Sequence, residues 1–154
     1  MAWTVLPEET ASKVADAMQP TMLDLLDLHM IGKQAHWTVV GGSFQPVHER
    51  LDVLIDQWRL WSDSVAERIV ILGTLPKGRP HDIVNLGKNG EFPVDWLDGN
   101  DAMCLLADRV EAVARRAREH QHAIADLDAI SDALLQGIIE GLEEQLWMLR
   151  AHLR

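Results

Sequence analysis

The chain has almost no cysteine, few aromatic residues, a shortage of cations and no long apolar run. One cysteine, Cys104, among 154 residues excludes an internal disulfide and points to a reducing compartment, where a lone cysteine ordinarily packs as a small buried hydrophobe. Aromatic residues make up 5%, with no tyrosine. Fourteen Lys and Arg against 24 Asp and Glu leave a formal net charge of −10. Such a surface attracts cations and repels a phosphate backbone, which argues against generic nucleic-acid binding. No apolar stretch has the length to cross a bilayer. The N-terminal Met1-Ala2-Trp3-Thr4-Val5-Leu6-Pro7 lacks a basic region followed by an apolar core. A cytoplasmic protein without a membrane segment is therefore expected. Strand signals are nearly absent, and no repeat or low-complexity tract is visible.

Apolar residues at 47% and charged residues at 25% fit one globular domain spanning 1–154, large enough for a real core. Four long segments carry helical periodicity. The first runs from about Pro7 to Val39, with Val14, Met18, Leu25 and Leu28 on one face; Pro20 is expected to kink it or divide it in two. Val39-Val40-Gly41-Gly42-Ser43 reads as a stop, with Ser43 as a cap for the next helix. That second helix, about Ser43 to Leu72, has the clearest stripe: Val47, Leu51, Leu54, Trp58, Trp61, Val65, Ile69 and Leu72. From Gly73 to Asn100 proline and glycine dominate, with a short helix expected around His81 to Leu86. A third helix, about Asp101 to Gln121, carries Leu105, Leu106, Val110 and Val113. A fourth, about Asp128 to Leu153, carries Leu134, Leu135, Ile138, Leu142, Leu146 and Leu149. A connection as long as 73–100 crosses a bundle from end to end. The pattern is therefore an all-α, ferritin-like four-helix bundle with a long crossover, containing a short helix, between helices 2 and 3.

Five side chains suit a metal: His36, His48, Asp52, Asp63 and Glu67. His48 and Asp52 are four residues apart, as are Asp63 and Glu67, so each pair lies on consecutive turns of one helical face. The pairs share a stripe yet stand on the order of 16 Å apart along the axis, which no single ion spans. A second copy of the helix, antiparallel about a two-fold axis near Gln57 and Trp58, would bring one chain's Asp63 and Glu67 beside the other's His48 and Asp52. Imidazole plus carboxylate without thiolate suits iron, manganese or zinc. Acidic residues at this spacing are also common on solvated faces, and the joint pattern with His36 is what favours a metal.

The run Lys33-Gln34-Ala35-His36-Trp37-Thr38-Val39-Val40-Gly41, then Phe44-Gln45-Pro46-Val47-His48-Glu49-Arg50-Leu51-Asp52, closely resembles the Dps family of mini-ferritins. Asp63-Ser64-Val65-Ala66-Glu67-Arg68-Ile69, Leu72-Gly73 and the C-terminal Trp147-Met148-Leu149-Arg150-Ala151-His152-Leu153 continue the match over essentially the whole chain. Thr38 departs from it, an asparagine being common there. The resemblance implies a ferroxidase site between two-fold related subunits, with His36, His48 and Asp52 from one chain and Asp63 and Glu67 from its partner. It further implies a hollow homododecamer that oxidises Fe(II), preferentially with hydrogen peroxide over dioxygen, and stores ferric mineral inside. Trp37 would act beside the site as a one-electron sink, as would Trp58 and Trp61 unless they serve packing alone.

The resemblance also places Asp126, Asp128 and Asp132, at the turn before the fourth helix, where iron-entry pores lie; Asp128 alternatively caps that helix. Glu140, Glu143 and Glu144 would face the cavity or solvent. Glu119 and His122 make one Glu-x-x-His spacing of the conventional ferritin kind, with no second copy. His29 shares the face of His36 and is expected to be buried or in support of it, while His81, His120 and His152 have no evident partner. Many Dps proteins compact DNA through basic tails, yet the first twelve residues here contain no lysine or arginine. Arg115, Arg116 and Arg118 form the one dense basic patch, and arginines on a helix usually pair with neighbouring acids. Strong DNA binding is not expected. The alternative is a nucleoid-associated, DNA-protective assembly with a minor or non-iron metal site.

Overall fold

The periodic apolar faces build four long helices and one short one. The structure, a computed structural model, describes residues 4–153; Met1, Ala2, Trp3 and Arg154, part of the chain ends considered above, lie outside them. In chain order the elements are α1 (Glu8–Thr38), β1 (Val39–Val40), α2 (Phe44–Ile71), α3 (Pro80–Leu86), β2 (Leu97–Asp98), α4 (Gly99–Ile124) and α5 (Ala129–His152). Helix α1 packs against α2 and α4, and α4 against α5. The stripe residues of all four faces are buried or half-buried in one core cluster. Each fully buried leucine or valine there contributes about 1.5–3 kcal/mol from apolar area removed from water.

Pro20 does not divide the first helix. It has no amide proton to donate one turn back, a loss that costs about 3 kcal/mol in an isolated helix. Yet α1 runs unbroken across it. Met18, Thr21, Met22, Leu23 and Leu25 on either side are buried, and their packing holds the segment helical. Ser43 does sit at the N-cap position of α2, but its side chain makes no cap hydrogen bond. It packs instead against Gly99, where an added Cβ would fall 2.2 Å from Ser43 Oγ. The turn before it relies on Gly41, whose φ of +96° lies in the left-handed region that glycine enters without a Cβ clash.

The crossover contains α3 where the short helix was expected, and it then pairs with the end of α1. Strands β1 and β2 are parallel, with Val39 opposite Leu97 and Val40 opposite Asp98. Two-residue strands of this kind leave no periodic mark in a sequence. Polar groups fasten the crossover to the bundle. Asn89 donates to the Asp24 backbone carbonyl at 3.0 Å and accepts from Arg116, whose guanidinium grips the Asp24 carboxylate at 2.8 and 3.1 Å. Arg109 Nη2 donates to the Glu91 carbonyl at 2.8 Å. Nearby Asp27 is raised above the usual carboxylate range by burial, against the lowering effect of its hydrogen bond with Asn89.

Two further expectations are corrected. Cys104 is exposed, on the outer side of α4 while Met103, Leu106 and Ala107 fill the core side. Helix α4 begins at Gly99 and ends at Ile124, longer at both ends than the 101–121 expected. Asp98 caps its start, accepting from the Asn100 amide at 3.0 Å, and buried Ile124 anchors its last turn.

Candidate metal centre

The last turns of α1 and the first turns of α2 meet around His36, His48 and Asp52. One ligand atom from each lies within 4.8 Å of the others, and among the described residues no other group of three or more His, Cys, Asp and Glu comes together this way. Local sequence explains the convergence. Gly32 leaves room for α2 to approach: a Cβ there would fall 2.6 Å from the Trp58 ring and 2.8 Å from Ile55. The short β1 and the Gly41-Gly42 turn then reverse the chain within one connection.

The two imidazoles hold each other in place. Their rings stack with centroids 3.6 Å apart and planes 26° from parallel. His36 Nδ1 lies 3.2 Å from the His48 carbonyl oxygen, and His48 Nδ1 lies 3.0 Å from the His36 carbonyl oxygen. A carbonyl only accepts, so each Nδ1 carries a proton and donates; in the neutral ring Nε2 then keeps its lone pair for a metal. Burial lowers the His36 pKa from its ordinary value, and the Asp52 charge only partly opposes this. The shift favours the neutral ring, the form in which a histidine ligates a metal.

Asp52 is exposed, and its carboxyl is held below the usual range chiefly by a hydrogen bond from Lys33. Lys33 Nζ sits 2.9 Å from Asp52 Oδ1, and His36 Nδ1 is 3.5 Å from the same oxygen. Lys33 was absent from the sequence-based site. The signal for it was there, since it precedes His36 by three residues and so shares its face of α1.

Asp63 and Glu67 lie outside this cluster. Both are exposed, farther along the same outward face of α2. Asp63 lines a cleft with Arg59, Ser62, Pro76 and Arg79, and Glu67 lines the adjoining one with Val70, Ile71 and Pro76. Within one chain the five residues therefore form a three-residue site and a separate pair.

The tryptophans divide. Trp37, next to His36, is 65% exposed. Trp58 is fully buried and donates from Nε1 to Gln145 Oε1 at 2.7 Å. Trp61 is half-buried with its ring over Gly141. His29 is half-buried; burial first, then the charges of Lys33 and Arg59, lower its pKa, and Asp56 opposes them. His120 does have a partner, Thr21 Oγ1 at 2.8 Å, and His81 lies against Asn85.

At the α4–α5 turn, Asp128 is buried and caps α5. Its carboxylate accepts from the Ser131 amide at 3.0 Å and from Arg68 at 2.6 Å. Asp132 accepts from Gln121 and Gln136, and Asp126 is exposed. Each arginine of the basic patch meets an acid: Arg115 with Glu111, Arg116 with Asp24 and Arg118 with Glu143. Glu119 and His122 are exposed and join no ligand cluster. No helix among the described residues is long and apolar enough to cross a membrane.

Comparison with known proteins agrees with this architecture. The family model for the ferritin-like domain matches residues 15–154. The DNA protection during starvation protein of Mycolicibacterium smegmatis is 37% identical over 149 residues, covering 96% of this chain and 81% of that one. The chain belongs to the Dps family of ferritin-like proteins. A solved structure of Mycobacterium smegmatis Dps superposes with a TM-score of 0.93 at 34% identity, covering 98% of this chain and 92% of that one. The fine tangled pili major subunit of Haemophilus ducreyi is also similar, 36% identical over 148 residues, with 94% of this chain and 76% of that one covered. Dps membership accounts for the bundle, the long crossover and the short helix within it.

Proposed function

We propose that this Dps-family chain is a ferroxidase that oxidises Fe(II) between two-fold related subunits and stores the ferric product inside a hollow dodecamer. The observation that carries the reading is the His36–His48–Asp52 cluster, within 4.8 Å, whose Asp52 shares an exposed face of α2 with Asp63 and Glu67. Two imidazole nitrogens and three carboxylates suit ferrous iron as a substrate, bound weakly enough for its oxidised form to leave. With hydrogen peroxide as oxidant, two ferrous ions each give up one electron and the peroxide O–O bond breaks. Two protons are taken up, and the products are two ferric ions and two waters, with no hydroxyl radical released. Ferric hydrolysis then yields oxyhydroxide and returns protons.

The roles of the protein groups follow from their chemistry. His36 and His48 present Nε2 lone pairs because their Nδ1 protons are held by backbone carbonyls. Asp52 supplies a carboxylate oxygen that Lys33 balances until a cation arrives. Asp63 and Glu67 of a second copy complete the set. Trp37, exposed beside His36, is placed to give up an electron if oxidation stalls halfway, while Trp58 and Trp61 pack the core. In the assembled shell, Asp126 and Asp132 would guide cations at the pore, with Asp128 committed to its cap and to Arg68.

The protein is expected in the cytoplasm, as one domain, without strong DNA binding, since its basic patch is already paired with acids. A protective assembly on DNA is the second reading, favoured by the name of the M. smegmatis relative. The deciding experiment is anaerobic Fe(II) loading of the purified protein, followed by peroxide, tracking ferric absorbance and particle size. Fast oxidation with soluble mineral kept in the shell supports the proposal. Oxidation no faster than buffer, with iron precipitating outside, shifts the function to the second reading.

A further inference from the structure

The outward face of α2 carries more than metal ligands. Asp52, Val53, Asp56, Arg59, Leu60, Asp63 and Glu67 are all exposed, at the three- and four-residue steps of one helical stripe. Asp56 and Arg59 lie at its middle. Each is charged, and among the described residues neither takes part in an ion pair within the chain, although Asp24, Asp52, Asp82, Asp128 and Arg116 all do. The neighbouring groups on α1 do not neutralise them: His29 faces both, and Lys33 is engaged with Asp52.

In an antiparallel pairing of two α2 helices, each residue meets the one equally far beyond the midpoint. The register that sets Asp52 against Asp63 and His48 against Glu67 has its midpoint between Gln57 and Trp58. In that same register Asp56 meets Arg59 of the partner subunit, and by symmetry this happens twice. We infer that Asp56 and Arg59 form a reciprocal pair of inter-subunit ion pairs across the two-fold axis, which fixes the register that completes the metal site. The partner is a second copy of this chain, and the inference rests on the two-fold site proposed above.

The charge pattern disfavours the alternatives. A slip of one helical turn in one direction sets Asp56 against Asp63 and Asp52 against Glu67, all carboxylates. The opposite slip sets Asp56 against Ile55, with no cation to meet it, and turns Arg59 onto Asp52, a carboxylate that Lys33 already holds. Val53, 60% exposed, and Leu60, 47% exposed, flank the charged pair and supply apolar surface that a second copy would cover. Apolar area of this kind drives association without choosing a register, whereas paired and mispaired charges choose it. Asp56 and Arg59 are thus positioning residues, acting on the metal only through the placement of Asp63 and Glu67.

Charge reversal tests this in the full-length protein. Asp56→Arg alone sets cation against cation in both symmetry-related pairs, and Arg59→Asp alone sets carboxylate against carboxylate in both. Each is expected to raise the protein concentration needed for dimer-containing assembly by at least about tenfold in sedimentation velocity. The double variant, Asp56→Arg with Arg59→Asp, restores opposite charges and is expected to assemble as the wild type does. Singles that assemble normally, or a double variant no better than either single, would overturn the inference. Should a reversal impair folding by circular dichroism, the neutral Asp56→Asn with Arg59→Gln is the second check: its assembly should lose the salt sensitivity of the wild type, and an unchanged sensitivity also overturns the pairing. Zinc(II) titration by calorimetry, with Asp63→Asn as control, separates the two claims. Rescue of assembly with zinc stoichiometry indifferent to Asp63 defeats the two-fold metal site and leaves the ion pairs standing. Dependence on Asp63 without rescue defeats the ion pairs alone.

Discussion

His36 and His48 lie ring on ring, 3.6 Å between centroids, and each faces the other's backbone carbonyl through Nδ1. The pair is therefore one unit, with both tautomers set by the backbone and both Nε2 atoms left for a metal. Asp52 joins it through α2, one turn beyond His48.

Removing a ligand should remove activity and leave the fold. His36→Ala or Asp52→Ala is expected to slow Fe(II) oxidation by at least the order of 10–100-fold that even outer-shell partners of a metal can cost. Assembly should be unchanged, because neither side chain belongs to the apolar core that folds the bundle or to the Asp56–Arg59 pairing proposed to set the interface. Stopped-flow ferric absorbance beside size-exclusion chromatography reads both, and wild-type rates in either variant would refute the site.

Lys33 competes with the cation for Asp52. Lys33→Gln frees the carboxylate oxygen now held at 2.9 Å, so zinc(II) affinity measured by calorimetry should rise. The gain is modest, up to about fivefold, since a partly exposed pair is worth roughly 0.2–1 kcal/mol. Weaker binding in the variant would show that the ammonium assists the site rather than competing for it.

Gly32 allows α2 to lie against α1. In Gly32→Ala the new methyl falls 2.6 Å from the buried Trp58 ring and 2.8 Å from Ile55. Trp58 is tied to Gln145 on α5 and has little room to shift. A loss of about 1–3 kcal/mol is expected from overpacking, read from urea denaturation. An unchanged midpoint would mean that the helices separate at no cost.

Acid should weaken the protein before its carboxylates titrate. Burial lowers the His120 pKa in the folded chain, whereas in the unfolded chain it stays near the ordinary histidine value of about 6.5. As pH falls through that value the unfolded state binds the proton first, so stability is lost progressively down to the lowered folded pKa. Urea midpoints at fixed protein concentration should fall as pH drops through about 6.5, and less so in His120→Gln. A flat profile through that value, or an equal slope in the variant, would contradict the assignment.

Much of this was legible in the one-dimensional pattern. Apolar steps of three and four place Leu51, Leu54, Trp58, Val65 and Ile69 on one face whatever the helix packs against, and all five are buried. The same arithmetic separates Asp63 and Glu67 from His48 and Asp52, because rise per residue is a property of the helix and not of its neighbours. Local rules left open whether Pro20 kinks or divides α1, and packing on both sides keeps the helix undivided; they misjudged Ser43, whose side chain makes no cap hydrogen bond.

Other features depend on groups distant in the chain. Lys33 beside Asp52, Asn89 gripping α1 and α4, Thr21 with His120, and the short pairing of Val39 with Leu97 join residues whose separation carries no periodic signal. The exposure of Cys104 likewise reflects which side of α4 the other helices cover. Spacing along the chain determined the helices and their ligand-bearing face, since both follow from backbone geometry. Only the tertiary structure decided which polar groups meet, because desolvation and hydrogen-bond geometry act between surfaces that must first be brought together.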